Sequence, residues 1–142
     1  GDLRRMSLSI GNLGAIALER GDLTAAEQHL EASVAIGERL GLQSSIAEDL
    51  NNLADLALRR KDLALAEARL QRALSIVEAN DLNRLRPFVE ATGGQLALAR
   101  GERERACALW AASVAALAEM RDATADLVRQ LERDAGCQPV AR

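Results

Sequence analysis

An all-α array of helical hairpins is the fold class the sequence predicts, and three observations predict it. A shift of 40 positions lays NLGAIALERGDL (Asn12–Leu23) on NLADLALRRKDL (Asn52–Leu63), and that on TGGQLALARGER (Thr92–Arg103), without a gap. Each copy carries two apolar stretches of helical spacing around a breaker: Gly21-Asp22, Lys61-Asp62 and Gly101. The hydrophobic content of 49% comes from Leu, Ala, Ile and Val, with one Phe, one Trp and no Tyr, a composition that favours helix over sheet.

The first copy spans 1–40. Its opening helix, expected over 3–19, carries Met6, Ile10, Leu13, Gly14 and Ala17 on one face. Gly21 ends it, and Asp22 or Thr24 can cap the next helix, 24–39, by accepting a hydrogen bond from a free amide of its first turn. That helix points Ala26, Leu30, Val34 and Ile36 inward and Gln28, Glu31 and Glu38 outward, with His29 between them. The second copy, 41–80, holds helices at 43–60 and 64–79 and has the most regular stripe: Ile46, Leu50, Leu53, Ala54, Ala57. In the third copy, 81–120, helices are expected at 84–100 and 103–120. Pro87 lacks an amide hydrogen and belongs in the first turn or at a kink. Gly93-Gly94 costs about 1 kcal/mol per residue against Ala and has two readings, tight packing near Trp110, which is favoured, and a close approach or movable joint. The stripe Ala123, Leu127, Leu131 predicts a seventh helix, 123–134, covering the last hairpin. Residues 1–136 thus read as a single domain, with 137–142 as a disordered tail.

Down the columns of the alignment stand Ile16, Leu56, Leu96; Ala26, Ala66, Ala106; Leu30, Leu70, Trp110; and Ser33, Ala73, Ser113. Small residues let helix backbones approach while the large ones fill the space between them, and a single hairpin cannot bury its apolar face without a stacked neighbour. This pattern resembles the tetratricopeptide repeat, through Ile10, Leu13, Gly14, Ala17, Ala26 and Leu30. It departs in its longer period and in placing Ala17 and Leu30 where aromatics are usual; the Leu-Gly pair becomes Leu53-Ala54 and then Gly93-Gly94. Long-period copies with such Asn-Leu-Gly and Asn-Asn-Leu-Ala openings resemble those of kinesin light chains and, more closely, the carboxy-terminal repeats of large bacterial transcription regulators with an ATPase module. The resemblance implies a right-handed superhelix of three hairpins plus a capping helix. It also implies the sensor or interaction part of a larger bacterial regulatory protein, with any ATPase chemistry outside this chain.

Charge and motifs narrow the function classes. A net charge of −3, with arginines dispersed among Asp and Glu, argues against direct nucleic-acid binding. No apolar run is long enough to span a membrane and no leader pattern opens the chain, so a cytoplasmic protein is expected. Gly1 aligns with Gly41 and Asp81 and there is no initiator Met, as in a piece of a longer array. Cys107 and Cys137, 30 positions apart, show neither a zinc spacing nor a disulfide framework, and Cys107 reads as a packing residue. The lone His29 reads as a surface or interfacial side chain. Gly93–Gln95 lacks the Lys and Ser/Thr of a phosphate loop, and the carboxylates read as outward and normally ionised. No catalytic constellation, metal or cofactor is expected.

Two classes remain: a scaffold that binds a protein or peptide segment in a concave groove, and a self-assembly element that stacks on further repeats or on another copy. By the resemblance, the first helix of each hairpin lines the groove. The stripe beside the core face of those helices carries Leu8, Asn12, Ala15 and Glu19; Glu48, Asn52, Asp55 and Arg59; and Phe88, Thr92, Gln95 and Ala99, each spaced by 4, 3 and 4. Asn12 and Asn52 stand one repeat apart, flanked by Asn51, and an amide offers the donor and acceptor that an extended peptide backbone needs. Arg59 is the one cation of this stripe, which favours a neutral or basic segment over a clamped carboxylate terminus. For the second class, Leu3, Met6 and Ile10 form an uncovered edge suited to weak homodimerisation.

Overall fold

The computed structural model describes residues 1–138. The described residues form seven helices and no strand: α1 (Asp2–Glu19), α2 (Leu23–Leu40), α3 (Gln43–Arg59), α4 (Leu63–Ala79), α5 (Arg86–Ala99), α6 (Arg103–Glu119) and α7 (Thr124–Ala135). Every boundary falls within two residues of its expected place. The chain divides into two compact units, Gly1–Leu85 and a second beginning at Arg86.

The turns explain why the helices end where they do. Left-handed residues recur at Gly21, Gly41, Lys61, Asp81, Gly101 and Arg121, with φ of 78°, 69°, 62°, 52°, 79° and 55°. One such residue every 20 positions reverses the chain. The three non-glycine members bear the strain that a Cβ brings to this conformation, which glycine avoids. After each mid-repeat turn an acidic residue takes the N-cap. Asp22 accepts from the Ala25 amide at 3.2 Å and Asp62 from the Leu65 amide at 3.1 Å, while Glu102, in the same register, makes no side-chain cap.

In the first unit α1 pairs with α2, α3 with α4, and α3 stacks on α2. The α3 stripe is fully used: Ile46, Leu50, Leu53, Ala54 and Ala57 are all buried, as their periodicity indicates. On α1 the expectation needs correcting. Its packed face is Ser7, Gly11, Gly14 and Leu18, whereas Met6 and Leu13 are exposed and Ile10 and Ala17 only partly covered. The reason is one of neighbours: α2 covers this register on α3, and no helix of the described residues covers it on α1. Across the unit, Arg60 pairs with Glu27, Arg69 with Glu31 and Arg72 with Glu38, tying α2 to α4 and its preceding turn. Exposed pairs of this kind contribute about 0–1 kcal/mol each.

In the second unit α5 and α6 form a hairpin and α7 packs on α6. Pro87 sits in the first turn of α5, where its missing amide hydrogen costs nothing. Trp110 is fully buried, and its indole Nε1 donates to the Ala91 carbonyl at 3.0 Å. Ser113 donates to the Pro87 carbonyl at 2.7 Å. The two adjacent glycines differ: a Cβ on Gly94 would lie 2.3 Å from Trp110 Nε1, while one on Gly93 would meet only Leu109 Cδ1 at 3.7 Å.

The cysteine reading is overturned. Cys107 and Cys137 form a disulfide, with Cα atoms 5.5 Å apart, and Cys137 packs against the core of the unit. Their spacing hid this because the turn between α6 and α7 lies midway between them, so antiparallel helices bring residues equidistant from it side by side. Of the tail expected to lack order, Cys137 is thereby anchored; residues 139–142 lie outside the described residues.

Candidate functional site

The first unit brings seven of the ten sequence-derived site residues onto two neighbouring helices. Asn12 and Glu19 lie on α1; Glu48, Asn51, Asn52, Asp55 and Arg59 lie on α3, which also contacts α1. Asn12, Glu19, Glu48 and Arg59 are exposed, while Asn51, Asn52 and Asp55 are half-buried. The other three belong to α5 in the second unit. There Phe88 packs against the core, Thr92 is buried with its hydroxyl donating to the Phe88 carbonyl at 3.2 Å, and Gln95 is half-buried.

Arg59 is committed within the protein. Its guanidinium donates to the Leu18 carbonyl at 2.7 Å, which also accepts from the Gly21 amide at 3.0 Å, and it pairs with Asp55 at 3.3 Å. Beyond the Asp55–Arg59 pair, Glu19 and Glu48 of the same stripe are exposed. Desolvation pushes the Glu48 carboxyl up from its ordinary value, and a hydrogen bond with Ser44 works against that rise. Asn51 Oδ1 is buried with no partner among the described residues, an acceptor left open beside Asn52.

Behind this surface lies a group that sequence reasoning took for an outward carboxylate. Asp49 is 6% exposed. It projects from α3 against Gly11 of α1 and Ser33 of α2; a Cβ on Gly11 would stand 3.0 Å from both Asp49 Oδ1 and Ser33 Oγ. Ser33 donates to the Ser7 carbonyl at 3.0 Å, and Asp49 Oδ2 has no partner among the described residues. Burial pushes its pKa up to about 6, the Ser33 hydroxyl opposes the rise, and the Glu48 charge adds to it. The clue in the sequence was position: Asp49 directly precedes Leu50 on the stripe that packs against α2.

No group of three or more His, Cys, Asp or Glu among the described residues is arranged to hold a metal ion, and no helix among them is long and apolar enough to cross a membrane. No curated protein and no solved structure matches the chain. A family model described as tetratricopeptide repeat matches residues 5–79, the stretch that holds both asparagines and the paired hairpins beneath them. With over half its length in that match and its described residues folded as helical hairpins, the chain belongs to the tetratricopeptide repeat family.

Proposed function

We propose that this chain is a protein-interaction scaffold whose α1–α3 face holds an extended, neutral or basic peptide segment. Mediating contacts between proteins is what the family generally does, and the observation that carries the finer reading is the pair Asn12 and Asn52. They hold equivalent positions on adjoining helices, with the carboxylates of Glu19 and Glu48 exposed on the same stripe. Each amide offers a donor and an acceptor to a peptide backbone, and the acidic rim favours Lys or Arg on the segment. Arg59, the cation of the stripe that carries both asparagines, is held by Asp55 and the Leu18 carbonyl. The repeat openings support a place in a larger, cytoplasmic bacterial regulatory protein. Phe88, Thr92 and Gln95 lie on α5 of the second unit and are not part of this face.

The test is a displayed peptide library panned against the chain, followed by Asn52→Ala with Asp55→Ala. Selected segments are expected to be basic, and the double variant to bind them about tenfold or more weaker with unchanged helical circular dichroism. Enrichment of acidic segments, or binding that ignores the double variant, moves the site off this face.

A second reading rests on the exposed stripe of α1. Leu3, Met6, Leu13 and Ile16 are between 43% and 51% exposed on one helix, an apolar strip suited to weak self-association. Sedimentation of the chain is expected to show a concentration-dependent dimer, abolished by Met6→Glu with Leu13→Glu. A monomer at millimolar concentration ends this reading.

A further inference from the structure

We propose that the Cys107–Cys137 pair is a redox latch that determines whether α7 stays docked on α6. Both fasteners of the carboxy-terminal end of α7 sit at one place. Cys137 follows Gly136, the left-handed C-cap of α7, and is bonded to Cys107 in the second turn of α6. One turn earlier on α6, Arg103 donates to the Ala135 carbonyl at 2.6 Å and to the Gly136 carbonyl. At its other end α7 is held by a short turn in which Asp122 accepts from the Thr124 amide at 2.9 Å.

Between these ends α7 packs through few side chains, Ala125 and Val128 within the core of the unit and Leu131 and Ala135 against it. α7 has 12 residues, of which Ala125 and Val128 are buried, while Leu127 is 69% exposed. A helix of that length is marginal in water without packing, so its docking depends on how strongly its ends are tethered. The α5–α6 hairpin does not share this dependence. It is knit by the Trp110–Ala91 and Ser113–Pro87 hydrogen bonds, neither of which involves the disulfide or α7. The chain can therefore release α7 and keep its hairpin.

The chemistry is thiol–disulfide exchange with a dithiol reductant. A reductant thiolate attacks one cysteine sulfur, the S–S bond breaks, and the other sulfur leaves as a thiolate and takes a proton. The second reductant thiol then displaces the first cysteine, so the protein gains two electrons and two protons while the dithiol becomes a disulfide. A small-molecule disulfide reverses the sequence. In a reducing compartment α7 is free and the apolar flank of α6 around Val114 is uncovered; in an oxidising one it is closed.

Hydrogen exchange followed by mass spectrometry tests this on the full chain, equilibrated with glutathione disulfide or with dithiothreitol and with its thiols counted. On reduction, amides of Val128–Ala135 are expected to exchange about tenfold faster or more, while those of α5 and α6 stay unchanged. Cys107→Ser with Cys137→Ser in the oxidising buffer should reproduce the reduced pattern. Three results overturn the latch: α7 protection unchanged with both thiols free, thiols that stay free in glutathione disulfide, or α5 and α6 opening together with α7. The last would make the bond a staple of the whole unit.

Discussion

Gly94→Ala is expected to destabilise the second unit by about 2–3 kcal/mol, while Gly93→Ala, one residue away, stabilises it by about 0.5–1 kcal/mol. Both substitutions gain the better helix propensity of alanine. They part at Trp110. The new methyl at position 94 would come 2.3, 2.6 and 2.7 Å from Nε1, Cδ1 and Cε2 of the indole, which is fully buried and has no room to withdraw. Displacing the ring also strains its hydrogen bond to Ala91. At position 93 the methyl meets one leucine carbon at ordinary contact distance. Urea unfolding monitored through the single tryptophan resolves both effects. Equal shifts for the two variants would show that Trp110 does not occupy this position.

Asp49→Asn is expected to stabilise the first unit at pH 7 by about 1–2 kcal/mol and to remove most of its stability gradient between about pH 4 and 6. The sign follows from the direction of the shift. With a native pKa near 6 against an ordinary carboxyl value, the native state holds a proton that the unfolded chain has lost, so stability falls as pH rises through this window. Above it the native carboxylate is ionised, with Gly11 and Ser33 beside it from α1 and α2, Glu48 adjoining on its own helix, and Oδ2 unpartnered among the described residues. Asparagine keeps the shape without the charge. Circular dichroism melts at pH 4.5 and 7 check this: wild type should be more stable at the lower value relative to the variant. A wild type and variant that track each other would place Asp49 in solvent.

The hairpins were legible because their determinants are local and repeated. Apolar residues at helical spacing, a breaker in each copy and an acidic cap at Asp22 need no knowledge of distant contacts. What escaped were features made by juxtaposition. Met6 and Leu13 have the same periodicity as Ile46 and Leu53, yet only the latter pair is buried, since burial depends on a covering helix and periodicity does not report one. Asp49 looks like any helical carboxylate until α1 and α2 close over it. Cys107 and Cys137 meet only after two helices fold back on each other. For the binding face, residue positions were readable, but the engagement of Arg59 by the Leu18 carbonyl was not, because nothing in the sequence marks a main-chain acceptor 41 positions away.

The spacing of the left-handed residues also constrains how this chain can change. Helices α1 and α2 each have 18 residues, which is five whole turns at 3.6 residues per turn, so the backbone leaves each cylinder at about the azimuth where it arrived. Phase is thus conserved across these two helices. A substitution alters one contact, whereas one residue inserted in mid-α2 would rotate everything after it in that helix by about 100° and carry Val34 and Gly37 away from α3. Insertions next to Gly21 or Gly41 leave both flanking cylinders in phase. Length polymorphism is therefore expected to collect at the 20-residue nodes, and deletion of one complete 40-residue period should preserve the faces that remain.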